Sequence, residues 1–137
     1  MKRKVKYIVI HCTGASQLQT VDSILRYWKE EKRWKNVGYH RIIDQHGKVT
    51  PLADFNQVTN GVQGFNKQSI HICYIGGQHN DNRTEAQKAT IKDCIFEALK
   101  WVDEPENIII QGHRDFQGVR KECPQFNAKQ EYEWITV

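Results

Sequence analysis

The four cysteines, at positions 12, 73, 94 and 123, form no C-x-x-C pair. That argues against a structural zinc ribbon. No apolar run is long enough to span a membrane. The start, "MKRKVKYIVIHCTG", is basic but carries only a short apolar run broken by a histidine, which is not a signal-peptide pattern. No internal repeat or low-complexity tract is present. Lys and Arg together number 20 against 16 Asp and Glu, a formal net charge of +4. So mild an excess suits an anionic partner without choosing among nucleic acid, membrane surface and bacterial wall. No dense basic cluster follows the first residues, so neither nucleic acid nor membrane is an expected partner.

What is there is ordinary for a globular chain. Its 137 residues favour one domain, spanning 1–137. A domain of that size buries roughly two thirds of its unfolded surface and needs no staple. The expected setting is synthesis in a reducing cytoplasm with free thiols, and the expected state is a monomer. Cys73, in an apolar strand, and Cys94, on the apolar face of a helix, read as small buried hydrophobes.

Residues 5–12, "VKYIVIHC", are β-branched and apolar, as in a buried strand. From Thr20, a plausible N-cap, apolar residues at Val21, Ile24, Leu25 and Trp28 give a helix ending near Arg33. "NVGYHRIIDQHGKVTPL" reads as two strands joined at His46-Gly47, with Tyr39 and His40 in the first. "SIHICYIGG" is a further strand. Thr84 opens the clearest helix: T-E-A-Q is a capping box, and apolar residues follow at 91, 94, 95, 98, 99 and 102. "NIIIQGH" reads as a last, buried strand, and Asn127 with Gln130 starts a short helix. Strands alternating with helices, one hairpin included, predict an α/β fold: a mixed central β-sheet flanked by helices.

Ligands collect where the strands of such sheets end. His11 ends the first strand, His113 lies just past the last, and Cys123 follows on a connection long enough to fold back. Two imidazoles and a thiolate can hold one zinc ion and leave a position open for catalysis. Spacing alone is not specific, and on that ground separate surface histidines and a buried cysteine are the favoured reading. His46, His79, His71 and His40 have plain readings as turn, loop and strand residues, and Trp34, Trp101 and Trp134 read as packing.

The motifs "VIHCTG", "NVGYHRII", "GFNKQSIHICYIGG", "GHRD" and "KECP", in this order, resemble those of the zinc-dependent N-acetylmuramoyl-L-alanine amidases. The similarity is greatest to the short amidase-type bacteriophage lysozymes and extends to peptidoglycan recognition proteins and wall-recycling amidases. It runs from Val5 to about Trp134. It implies the fold those proteins share and hydrolysis of the amide between N-acetylmuramic acid and L-alanine in bacterial peptidoglycan. It also implies one zinc ion on His11, His113 and Cys123, with Tyr39 and Lys121 as catalytic helpers and Asn66 and Gly61 facing substrate. The sequence departs from the pattern at three places, one being a slightly long connection from His113 to Cys123, with "FQGVR" inside it. Gly61 stands where phage relatives commonly have a histidine on the groove rim, and His71 stands where small residues are usual.

The chemistry agrees with the resemblance. An amide is a poor electrophile with a poor leaving group. Zinc polarises the carbonyl and lowers the pKa of water it binds to about 7. Lys121 would offset the developing oxyanion, and Tyr39 would hydrogen-bond or move a proton to the leaving nitrogen. Three roles remain distinct at this level: an endolysin acting on the wall once released from the cytoplasm, a cytoplasmic enzyme recycling soluble muropeptides, and a peptidoglycan-binding module without turnover.

Overall fold

The computed structural model describes residues 2–135. Five strands form one mixed sheet: β1 (Tyr7–Cys12), β2 (Arg41–Ile43), β3 (Val49–Pro51), β4 (Ser69–Tyr74) and β5 (Ile109–Gly112). Their spatial order is β3-β2-β4-β1-β5. β1 lies between β4 and β5 and is parallel to both, β2 is parallel to β4, and only the β2–β3 hairpin is antiparallel. Three helices flank the sheet: α1 (Val21–Glu30), α2 (Glu85–Trp101) and α3 (Ala128–Glu131). The mixed sheet with flanking helices is the architecture expected from the sequence.

The two central strands are buried on both sides, which is why their sequences are nearly continuous apolar runs. Side-chain alternation sorts them onto two faces. Ile8, Ile10, Ile70, Ile72 and Tyr74 meet the stripe of α2 formed by Ile91, Cys94, Ile95, Ala98 and Leu99. Each such large apolar side chain contributes about 1.5–3 kcal/mol on burial. The opposite face carries Val9, His11, His71 and Cys73, and it is covered only by α1 and loops. Polar side chains on a central sheet face, beneath a thin cover, are where a site can form.

The capping box of α2 is formed: the Gln87 amide donates to Thr84 Oγ1 and the Thr84 amide to Gln87 Oε1, both at 3.0 Å. α1 is capped by Thr20, whose Oγ1 accepts from the Ser23 amide. It stops at Glu30, short of Arg33, which takes a positive φ of 54°. The Trp34 amide then donates back to the Trp28 carbonyl at 3.0 Å, folding Trp34 under the helix. Three further expectations are corrected. β1 begins at Tyr7 rather than Val5. Tyr39 and His40 precede β2 instead of lying in it, although the His40 amide and carbonyl still pair with His71 and Leu52. β5 is an edge strand paired only with β1, so Ile109 is 44% exposed rather than buried.

The chain beyond β5 is pinned back by a buried cation. Arg83, 8% exposed, reaches Glu131 at 2.8 Å and Asp81 at 2.9 Å, and its guanidinium lies 3.4 Å from the Phe126 ring centroid. These contacts hold the segment that follows Cys123 against the body of the protein.

Candidate metal centre

Three separate pieces of chain deliver the candidate ligands. His11 projects from β1 and is 1% exposed. His113 opens a single 3-10 turn, His113–Asp115, directly after β5. That turn is locked by the Gly112 amide, which donates to Asp115 Oδ2 at 2.8 Å. Cys123 returns on the following loop. Phe116, buried against Tyr7 and Phe65, anchors the loop midway, and the Arg114 amide donates to the Cys123 carbonyl at 2.9 Å to close it. Gly112 is needed at this crossing because a Cβ there would lie 2.6 Å from Pro124 Cδ.

Ligand atoms of His11, His113 and Cys123 all lie within 4.8 Å of one another. Around a tetrahedral zinc ion, such atoms sit about 3.5 Å apart. A small inward adjustment would therefore bring them onto one ion. Their protonation also suits a metal. Burial above all, then His71 and His113, hold the His11 imidazole well below the ordinary histidine range. Burial and then Lys121 push His113 down to about 4. Both rings are thus neutral at neutral pH, as ligation requires. The hydrogen bond with the Cys12 side chain and burial raise the Cys123 thiol, although the Cys12 amide donates to its Sγ at 3.1 Å. Loading a metal onto Cys123 must therefore release a proton.

A groove of about 1040 Å³ runs past the cluster, and an adjoining recess of about 320 Å³ leads to all three candidate ligands. Tyr39 lines both; its ring centroid is 4.9 Å from that of His11. Burial holds its phenol well above the ordinary value, so it stays protonated. Lys121 is exposed on the opposite lip and also lines both. Arg120 and Lys32 add positive charge along the groove.

Asn66 and Gly61 line the groove too, but Asn66 Oδ1 is turned to its own loop. It accepts from the Gly61 and Val62 amides at 3.0 and 2.7 Å and lies 2.9 Å from His71 Nε2. Sequence reasoning passed over one groove residue and one buried histidine beside His11. Trp34, read as packing, lines the groove and stacks on Trp28 at 5.9 Å. His71, read as a strand histidine, is fully buried with Nδ1 2.8 Å from His11 Nε2. His71 also fills the volume a side chain at position 61 would occupy, because a Cβ there would collide with its ring. Alternation along β4 placed His71 on the same face as His11; nothing in the spacing tied it to Gly61. His46 and His79 are exposed, and Cys73 and Cys94 are buried, as expected.

Comparison with known proteins bears on the family and the fold. The family model described as N-acetylmuramoyl-L-alanine amidase matches residues 1–126. The endolysins of Enterobacteria phage T3 and Escherichia phage T7 are each 30% identical over 132 residues, covering 92% of this chain and 84% of theirs. The structure of bumblebee PGRP-SA superposes with a TM-score of 0.80 at 20% identity, covering 96% of this chain and 82% of that one, which shows the shared fold.

Proposed function

The chain belongs to the N-acetylmuramoyl-L-alanine amidase family, and from that premise we propose how its groove carries out the reaction. The protein is a peptidoglycan amidase, hydrolysing the amide that joins N-acetylmuramic acid to L-alanine. The observation that carries the mechanistic reading is the convergence of His11, His113 and Cys123 from three pieces of chain beside an open groove. These residues would hold one zinc ion. When bound, zinc supplies Lewis acidity and a nucleophile from water at neutral pH.

The protein's own groups do the rest. Attack on the amide puts negative charge on the carbonyl oxygen, and the Lys121 ammonium on the groove lip offsets it. Tyr39, kept protonated by burial, donates a hydrogen bond to the reacting group or a proton to the departing nitrogen. Asn66 acts on substrate through the loop it braces, and Gly61 meets the sugar or peptide with its backbone at the groove wall. A groove this open accommodates a polymer. We therefore assign the intact wall as substrate, reached after release from the cell, over small soluble muropeptides.

Purified peptidoglycan digested by the zinc-loaded protein should release new L-alanine amino groups, faster from intact sacculi than from soluble muropeptides per bond present. Saturable binding without new amines would replace this reading with a non-catalytic recognition module. A preference for soluble muropeptides would replace the wall with a recycling substrate.

A further inference from the structure

We propose that His71 is a positioning residue for the metal centre, fixing which nitrogen of His11 faces the metal through a one-way chain of hydrogen bonds from Asn66. This rests on the reading of His11 as a zinc ligand. The chain has one consistent proton arrangement. Asn66 Oδ1 accepts two backbone amides, from Gly61 and Val62, which identifies it as the oxygen. It can only accept, so the proton between it and His71 sits on His71 Nε2, 2.9 Å away. A neutral His71 then has a lone pair on Nδ1. His11 Nε2, 2.8 Å from that atom, must donate its proton there. His11 is left with its Nδ1 lone pair free, and a metal can take only that nitrogen. Partners of this kind orient ligating imidazoles and raise their basicity.

The surroundings leave His71 no alternative position. It is fully buried, its amide donates to His40 Nδ1 at 3.0 Å, and its ring occupies the side-chain space of Gly61. Glycine at 61 and histidine at 71 are therefore one feature: the loop gives up a side chain, and the strand fills the space with an imidazole.

Long-range proton–nitrogen NMR of the imidazoles at neutral pH, on the metal-free and zinc-loaded protein, tests this without a substitution. Both His11 and His71 should show the Nε2–H tautomer, with zinc perturbing Nδ1 of His11. Chelator competition then compares variants. His71→Leu keeps the bulk but removes the acceptor and should weaken zinc binding by roughly 10- to 100-fold. His71→Asn, whose Oδ1 can take the place of Nδ1, should recover part of that loss. A His11 proton on Nδ1 in the parent protein would overturn the proposal even if neither variant folds. Equal zinc affinity in the parent and His71→Leu would overturn it while leaving the zinc reading intact. A parent that binds no zinc would overturn both.

Discussion

The two halves of the site are built differently. The sheet half consists of His11 and His71 on adjacent central strands, with Tyr39 packed beside them. Both histidines are at most 1% exposed, bonded to each other, and His71 is further held through its amide by His40 and through Nε2 by the groove residue Asn66. The loop half, from His113 to Cys123, is one excursion with exposed residues at Gln117, Gly118, Arg120, Lys121 and Glu122. It is held by the buried Phe116 and by a few hydrogen bonds at its two ends, among them Gly112 to Asp115, Arg114 to Cys123 and Cys12 to the Cys123 sulfur. The sheet half can fix geometry and proton placement, because moving it would disrupt the core. The loop half supplies charge and two of the three candidate ligands, His113 and Cys123, where substrate must enter, and it can adjust as a metal draws the ligands together.

That contrast predicts where damage is absolute and where it is graded. Cys123→Ala removes the ligand the loop exists to deliver. It should abolish tight zinc binding and lower kcat by on the order of 10³-fold or more, since several kcal/mol of Lewis-acid stabilisation is lost. Zinc analysis and amine release on the same preparation would check it. Full activity in that variant would refute the ligand assignment. Next come the two helpers, one from each half. Lys121→Ala and Tyr39→Phe should each cost about 10²- to 10³-fold in kcat with zinc still bound. A loss confined to KM would make either one a substrate contact instead.

Phe116→Ala tests the anchoring of the loop half. Deleting a buried phenylalanine costs about 3–5 kcal/mol where the structure cannot collapse around it. Here the cost should fall on the loop. Zinc affinity should drop, while hydrogen exchange in β1 and β4 stays slow. Faster exchange throughout the sheet would show that the halves are one cooperative unit.

The smallest effect is a pH dependence that the two halves share in the metal-free protein. His40 and His113 are each pushed down to about 4, and His11 and His71 are also held low, in every case mainly by burial. The unfolded chain takes up those protons near pH 6.5, the ordinary histidine value. The stability these neutral rings carry is therefore complete above that pH and is lost as pH falls below about 6.5, for His40 and His113 down to about 4. Denaturant midpoints should decline across that window, and His71→Leu should flatten the decline. An unchanged slope would mean His71 is not held neutral.

Much of this was legible in the sequence because it depends on local pattern. The α2 capping box, the apolar runs of β1 and β4 and the strand-end positions of His11 and His113 all follow from periodicity and composition. What failed depends on contacts between distant segments. Ile109 looked buried because an apolar run does not reveal whether a strand lies at a sheet edge. Tyr39 looked like a strand residue because its neighbours continue the pairing without it. Trp34 does pack, on Trp28, but that it also lines the groove comes from a backbone return after Arg33 that no local pattern shows. His71 stood out as a departure from the resembling motif, but its meaning stayed hidden because it comes from the side-chain space that Gly61 leaves to its ring.

The central claim, that one metal ion gathered by both halves makes the groove a hydrolase, is tested most directly by titrating zinc into metal-free protein. The readout is release of L-alanine amino groups from purified peptidoglycan. Activity should rise from background and level off at one zinc per chain in the parent protein, and stay at background throughout the titration in Cys123→Ala. Full activity before zinc is added, or an equal plateau in the variant, would contradict it.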